Sequence, residues 1–320
     1  MGVGNCWRKP DTNYKLPITR GSQIMMEEAI KKSQVLIEAL PYIKKFFHKI
    51  FVIKFGGSAL SDARIRRSVL EDIVFMNYAG MKPVLIHGGG PFITEKLKEA
   101  RKKTRFVDGL RVTDKKTMEI VDQSLTELNG ILVEEIKKLG AEAFGLSGKE
   151  NKLILAKKVK RAEDVGFVGT VESIDTTVAT RLLEANIIPV ISPVAMGAEG
   201  DLFNVNADEA ASHIAIALKA EKIFLLTNVT GIMKENGNSD TLYRSLSLSD
   251  VEALMHKKII AEGMIPKTKA CTVALEGKVK KAHIIDGNLS HALLLEIFTD
   301  KGIGTEIIKL GRKTKATEGL

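Results

Sequence analysis

From Ile50 onward, short apolar runs rich in β-branched residues alternate with longer segments of helical periodicity, and this alternation constrains the fold most. The runs at 50–54, 83–87, 187–191, 222–226 and 282–285 predict strands, with further strands near 141–145 and 305–309. Between them, the spacing predicts helices over 62–79, 91–103, 114–138, 176–185, 207–219, 248–257, 264–276 and 290–298. The stretch 152–175 reads as a hairpin insertion. Such a chain folds as an α/β protein with a mainly parallel sheet and helices on both faces. Gly197, Gly200 and Asn204 cluster near 195–205, where a boundary between two lobes, 50–200 and 201–310, is expected.

Ahead of the alternation, residues 1–21 mix Gly, Pro, Asn and charge without periodicity and are expected to be disordered. Residues 22–49 change to an amphipathic helix carrying Ile24, Ala29, Ile30, Leu36 and Leu40, which Pro41 kinks or divides. This helix either packs on its own domain or seeks a partner helix. Residues 311–320 form a tail.

Two of the predicted strands end in glycine: Lys54-Phe55-Gly56-Gly57-Ser58 and His87-Gly88-Gly89-Gly90-Pro91. Each precedes a helix, so backbone N–H groups from two loops face one anion-binding space. Lys54 stands before its glycines, unlike the lysine of a Walker loop, which follows them. His87 reads as a structural residue holding its loop. Asn204-Val205-Asn206-Ala207-Asp208 opens a helix, either as a cap or with Asp208 anchoring lysines. Lys267, after Pro266, falls in the first turn of a helix, where a cation opposes the dipole unless it faces an anion. Read together, Lys54 and Lys267 bracket a transferring phosphoryl group and Asp208 organises both, since such transfer needs positioning and charge neutralisation. A carboxylate acceptor is already ionised at neutral pH, so no general base is needed. Arg111 in Gly109-Leu110-Arg111-Val112-Thr113 is either solvated or matched to a carboxylate. Leu226-Thr227-Asn228-Val229-Thr230-Gly231 ends a strand where a nucleotide sits in an open α/β sheet.

The composition excludes other classes. The 48 basic residues against 39 acidic give a net charge of +9, but no dense basic stripe with interleaved aromatics indicates nucleic acid. Cys6 and Cys271 make neither a disulfide framework nor a metal site, which points to a reducing compartment. No apolar run reaches membrane-span length and no signal-peptide core is present, so a cytoplasmic enzyme is expected.

The ordered series KFGGS, HGGGP, GLRVT, GLSGKENKLI, NVNADEAA, LTNVTGI and EGMIPK resembles the amino-acid kinase family over residues 30–310, and within it the branch that phosphorylates N-acetyl-L-glutamate. The resemblance implies an open αβα sandwich of two lobes, the first (50–200) binding acetylglutamate and dimerising, the second (201–310) binding ATP with Mg2+. It implies Lys54 and Lys267 as transition-state stabilisers, Asp208 as their organiser, and Gly89, Gly90, Arg111 and Asn204 as acceptor ligands. Gly56, Gly57, Thr227, Asn228 and Gly231 face the nucleotide. No protein-held metal is expected. The helix at 22–49 is similar to one that interlaces dimers into hexamers in an arginine-inhibited branch, and His283, Glu296 and Gly302 match that branch's L-arginine site. A PII-type signalling partner is left open. Phe167, where members often carry His, departs from the pattern.

Overall fold

The computed structural model describes residues 20–235, 237–260, 262–299 and 302–309. The disorder expected over 1–21 and the tail at 311–320 lie outside the described residues, save Arg20 and Gly21. The chain divides into two compact units, 1–45 and 46–320.

In the first unit and just beyond it runs α1 (Arg20–Phe46), a single helix that continues through Pro41, so this residue does not divide it. Met26, Ile30, Val35, Leu36, Ile37 and Leu40 along it are exposed.

The second unit begins with β1 (Ile50–Phe55), α2 (Ser58–Ser61), α3 (Ala63–Tyr78), β2 (Lys82–His87) and α4 (Gly90–Glu99). A short hairpin follows, β3 (Phe106–Val107) and β4 (Leu110–Arg111), then the long α5 (Lys115–Lys138) and β5 (Ala143–Ser147). Next come β6 (Ile154–Lys158), β7 (Val168–Ile174), α6 (Thr177–Glu184), β8 (Ile188–Ser192), β9 (Val194–Met196) and β10 (Leu202–Val205). The remainder is α7 (Ala207–Ala217), β11 (Lys222–Thr227), β12 (Ser245–Ser247), α8 (Leu248–His256), α9 (Ile265–Glu276), β13 (Lys281–Asp286), α10 (Ala292–Ile297) and β14 (Thr305–Ile308).

Eight strands form one sheet in the order β12-β14-β13-β11-β1-β2-β8-β5. All neighbours are parallel except β13 and β14, so the mainly parallel sheet expected from the alternation is present. Its central strands are continuous apolar runs because both faces are covered: Phe51, Val52, Ile53 and Phe55 of β1 are fully buried, as are Ile223, Phe224 and Leu225 of β11. The rings of Phe51 and Phe224 stack across the β1–β11 pair with centroids 6.2 Å apart.

The hairpin insertion expected at 152–175 appears as the antiparallel pair β6–β7. It is half of a small closed barrel, β10-β7-β6-β9. Residues 195–205, read from their glycines as an inter-lobe boundary, lie largely in the β9–β10 hairpin of this barrel, with Gly200 turning the chain at φ +94°. The sheet is continuous across this point, since β1 pairs with β2 on one side and β11 on the other. Strand order reverses at β1, and in open α/β sheets the crevice beyond the carboxyl ends at such a point is where ligands bind.

Candidate active site

Strand β1 delivers Lys54 to that crevice, its Cα in register with Ile86 of β2 and Leu225 of β11. Gly57 turns the chain out of β1 at φ +76°, a left-handed backbone that suits glycine. Helix α7 presents Asp208 from its first turn. Asn206 caps this helix, its side-chain oxygen accepting from the N–H of Asp208 at 2.8 Å and of Glu209 at 3.4 Å. The Glu209 carboxylate then accepts from Thr170 Oγ1 at 2.6 Å and the Val171 N–H at 2.8 Å, tying the same turn to the small barrel.

The Asp208 carboxylate joins both lysines: Lys54 Nζ lies 2.9 Å from Oδ1, and Lys267 Nζ, from the first turn of α9, 3.4 Å from Oδ2. Burial pushes the Asp208 pKa up, but the charges of Lys54 and Lys267 outweigh it and hold the carboxyl below the usual carboxylate value. The anion is therefore ionised, and it fixes two ammonium groups whose sequence positions are 213 residues apart by subtraction of Lys54 from Lys267.

Two adjoining cavities open from this clamp, and Lys54, Gly57 and Lys267 line both. The larger, of about 570 Å³, adds Gly56, Thr227, Asn228 and Gly231 to apolar walls that include Ile232, Ile260 and Met264. The smaller, of about 270 Å³, is bounded by Gly89, Gly90, Arg111, Asn204 and Asp208. The structure thus sorts the sequence-predicted residues into two groups on either side of the clamp. Gly89 belongs to the tight wall of the smaller cavity, since a Cβ there would collide with Leu125 of α5.

Arg111 is buried, and burial lowers its pKa, although a guanidinium keeps its charge at any physiological pH. Its Nη2 donates to Gly90 O and Thr94 Oγ1, both at 2.9 Å, and the guanidinium lies 4.8 Å from the Phe106 ring centroid. None of the ion pairs among the described residues involves it, and it lines the smaller cavity as a buried group, not a solvated one.

His87 is fully buried at the end of β2. Burial lowers its pKa to about 4, so it is neutral near pH 7. Asn129 Nδ2 lies 3.1 Å from Nε2, making that nitrogen the acceptor and leaving Nδ1–H to donate to Gly88 O at 3.0 Å. The imidazole is thus a strut for the glycine loop. Asn129, on α5, was invisible to sequence reasoning because no local pattern marks a partner 42 residues away. Phe167 is half-buried between Thr113 and Asn204, its N–H donating to Thr113 O and its carbonyl accepting from the Asn204 N–H.

His283, Glu296 and Gly302 come together away from these cavities. His283 Nδ1 lies 2.7 Å from Glu296 Oε1, while Oε2 accepts the N–H groups of Ile303 at 2.6 Å and Gly304 at 3.1 Å. Both side chains are buried, and Gly302 backs onto the carboxylate at φ +60°.

Among the described residues, no group of three or more His, Cys, Asp or Glu side chains is placed to hold a metal ion. No helix among them is long and apolar enough to cross a membrane.

An α/β sheet with a lysine-flanked carboxylate at its switch point is the architecture of a known class: the amino acid kinase family model matches residues 49–286, and the chain belongs to that family. Within it, the chain is 49% identical over 283 residues to the acetylglutamate kinase of Thermoanaerobacter pseudethanolicus, covering 88% of this chain and 95% of the relative. It is 44% identical over 295 residues to the acetylglutamate kinase of Methanocaldococcus jannaschii, covering 89% of this chain and 98% of that one. These relatives place it among the acetylglutamate kinases. Of solved structures, N-acetylglutamate synthase from Neisseria gonorrhoeae, complexed with coenzyme A and N-acetyl-glutamate, superposes with a TM-score of 0.78 at 26% identity over 87% of this chain. The chain spans 64% of that larger protein. Giardia carbamate kinase, at 18% identity and a TM-score of 0.59 over 82% of this chain and 99% of that one, shares the fold.

Proposed function

We propose that this enzyme transfers the γ-phosphoryl group of ATP to the side-chain carboxylate of N-acetyl-L-glutamate, giving the acyl phosphate used in arginine biosynthesis. The observation that carries this reading is the Lys54–Asp208–Lys267 clamp at the junction of the two cavities. The larger cavity takes the nucleotide, with Gly56 and Gly57 against the phosphates and Thr227, Asn228 and Gly231 near the base and sugar. The smaller takes the acceptor, with Arg111 on a carboxylate and Gly89, Gly90 and Asn204 around the rest.

Chemistry follows from charge. A glutamate side chain with a pKa of about 4.3 is an anion at neutral pH and attacks without a base. Buried, neutral His87 has both ring nitrogens engaged and takes no proton from it. Two anions must nevertheless approach each other, and negative charge spreads over the transferring oxygens. Lys54 and Lys267 oppose that repulsion from the two sides of Asp208, which holds them in place before substrate arrives. Among the described residues the donor set offers Mg2+ no cage of carboxylates, Asp208 being occupied by lysines, and the ion would enter on the nucleotide phosphates.

Feedback inhibition by L-arginine and assembly of dimers into a hexamer through α1 are the finer parts of the proposal. They are supported by the convergence of His283, Glu296 and Gly302 and by the exposed apolar residues of α1. The decisive experiment traps acyl phosphate with hydroxylamine in the presence of ATP and acetylglutamate, glutamate or aspartate. Product with acetylglutamate is expected, and its absence refutes the reading. Activity titrated with arginine tests the regulatory part.

A further inference from the structure

Thr94 sits one helical turn into α4, and its hydroxyl connects the second glycine loop to the only guanidinium lining the smaller cavity among the described residues. Thr94 Oγ1 donates to Gly90 O at 2.8 Å, the bond a helical threonine makes to the carbonyl four residues back. The same oxygen accepts from Arg111 Nη2 at 2.9 Å, and Gly90 O accepts from Nη2 as well, also at 2.9 Å. Hydroxyl, carbonyl and Nη2 thus close a three-membered ring of hydrogen bonds. The other face of the guanidinium rests on Phe106, and Nη1 reaches Thr104 Oγ1 at 3.4 Å, a long contact.

We infer that Thr94 is a positioning residue for acceptor binding: with Gly90 O it holds Nη2 in a fixed neutral frame, so that the guanidinium presents its remaining N–H capacity to the acceptor carboxylate in one orientation. The inference rests on the assignment of Arg111 to that carboxylate. An arginine side chain carries several rotatable bonds, and ordering it at the moment of binding costs affinity that a preformed frame avoids. The frame is neutral, and no carboxylate of the described residues pairs with Arg111, so the positive charge remains available to an anion. Thr94 itself is exposed on the helix and belongs to no buried core, so its removal acts through the ring and not through packing.

The test measures steady-state kinetics of the full chain with N-acetyl-L-glutamate as varied substrate. Thr94→Val keeps the shape but deletes donor and acceptor. It is expected to raise the acetylglutamate KM about tenfold, the scale of one hydrogen bond from a charged group, with kcat and the ATP KM within about twofold. Thr94→Ser restores the oxygen and is expected to return the KM to near wild type. In an Arg111→Lys background, Thr94→Val should add little, because partners in one network are non-additive. A wild-type KM for Thr94→Val alongside a raised KM for Arg111→Lys overturns the positioning role while sparing the Arg111 assignment. Unchanged KM in Arg111→Lys overturns both. Equal losses in Thr94→Ser and Thr94→Val, or a fall in kcat alone, also overturn it.

Discussion

Asp208 does its work by being nearly inaccessible. Its side chain, 6% exposed, holds Lys54 and Lys267 from either side, and removing one partner of such a buried pair leaves an uncompensated charge. Lys54→Ala or Lys267→Ala is expected to lower kcat by about 10²-fold or more, the usual scale for losing one preorganised donor to developing charge. Substrate KM values should change less, since the stabilisation is felt chiefly in the transition state; initial rates over varied ATP and acetylglutamate separate the two. Lys267 stood out in the chain because a lysine in the first turn of a helix opposes the dipole, and Lys54 and Asp208 gained meaning only when read together with it. Their common ion-pair clamp followed from the same reading. The Asn129–His87 strut and the Thr94 ring were not legible, since asparagine or threonine inside an ordinary helix carries no local sign of a distant partner.

At the scale of elements, α5 shows how the middle of a long helix backs the cavity wall. It supplies Leu125 beneath Gly89 and Asn129 beneath His87. Its first turn is capped by Asp114, whose side chain accepts the Thr117 N–H at 2.7 Å and pairs with Lys102 at 2.5 Å. The Lys102 hydrogen bond and the capped N–H lower the Asp114 pKa to about 2. A depressed carboxyl pKa contributes stability above the unfolded-state value that is lost as pH falls toward the folded one. Asp114→Ala should therefore cost about 1 kcal/mol near pH 7, and the gap from wild type should narrow between about pH 4 and pH 2. Urea unfolding across that range measures it. Long elements like α5 declared themselves by periodicity. β3, β4, β9, β10 and β12 did not, because strands of two to four residues are too short for a period and are defined by pairing with remote chain. For the same reason the sequence reading of 195–205 as a lobe boundary did not show the β9–β10 pairing there.

The whole molecule joins a compact α/β unit to a helix with its own apolar face. Deleting residues 1–45 removes Met26, Ile30, Val35, Leu36, Ile37 and Leu40 together. Under the proposed assembly, the shortened chain should remain an active kinase but sediment as a smaller oligomer with weaker arginine inhibition. A truncated protein that still sediments as a hexamer removes α1 from the assembly. The α/β class and the parallel sheet were readable because alternation is a whole-chain property that survives errors of a few residues at any one boundary. The reversal one strand in from the sheet edge, where β14 runs against β13, had no such signal, since direction is set by the return path and not by composition.

The two cavities meet at Lys54, Gly57 and Lys267, and their far walls come from separate stretches of chain, residues 88–206 for one and 226–264 for the other. A duplicated copy of such a gene could accumulate changes in the first stretch while leaving the second untouched. Under the proposed assignment of the two cavities, its descendants would inherit the donor half intact and diverge by what they phosphorylate.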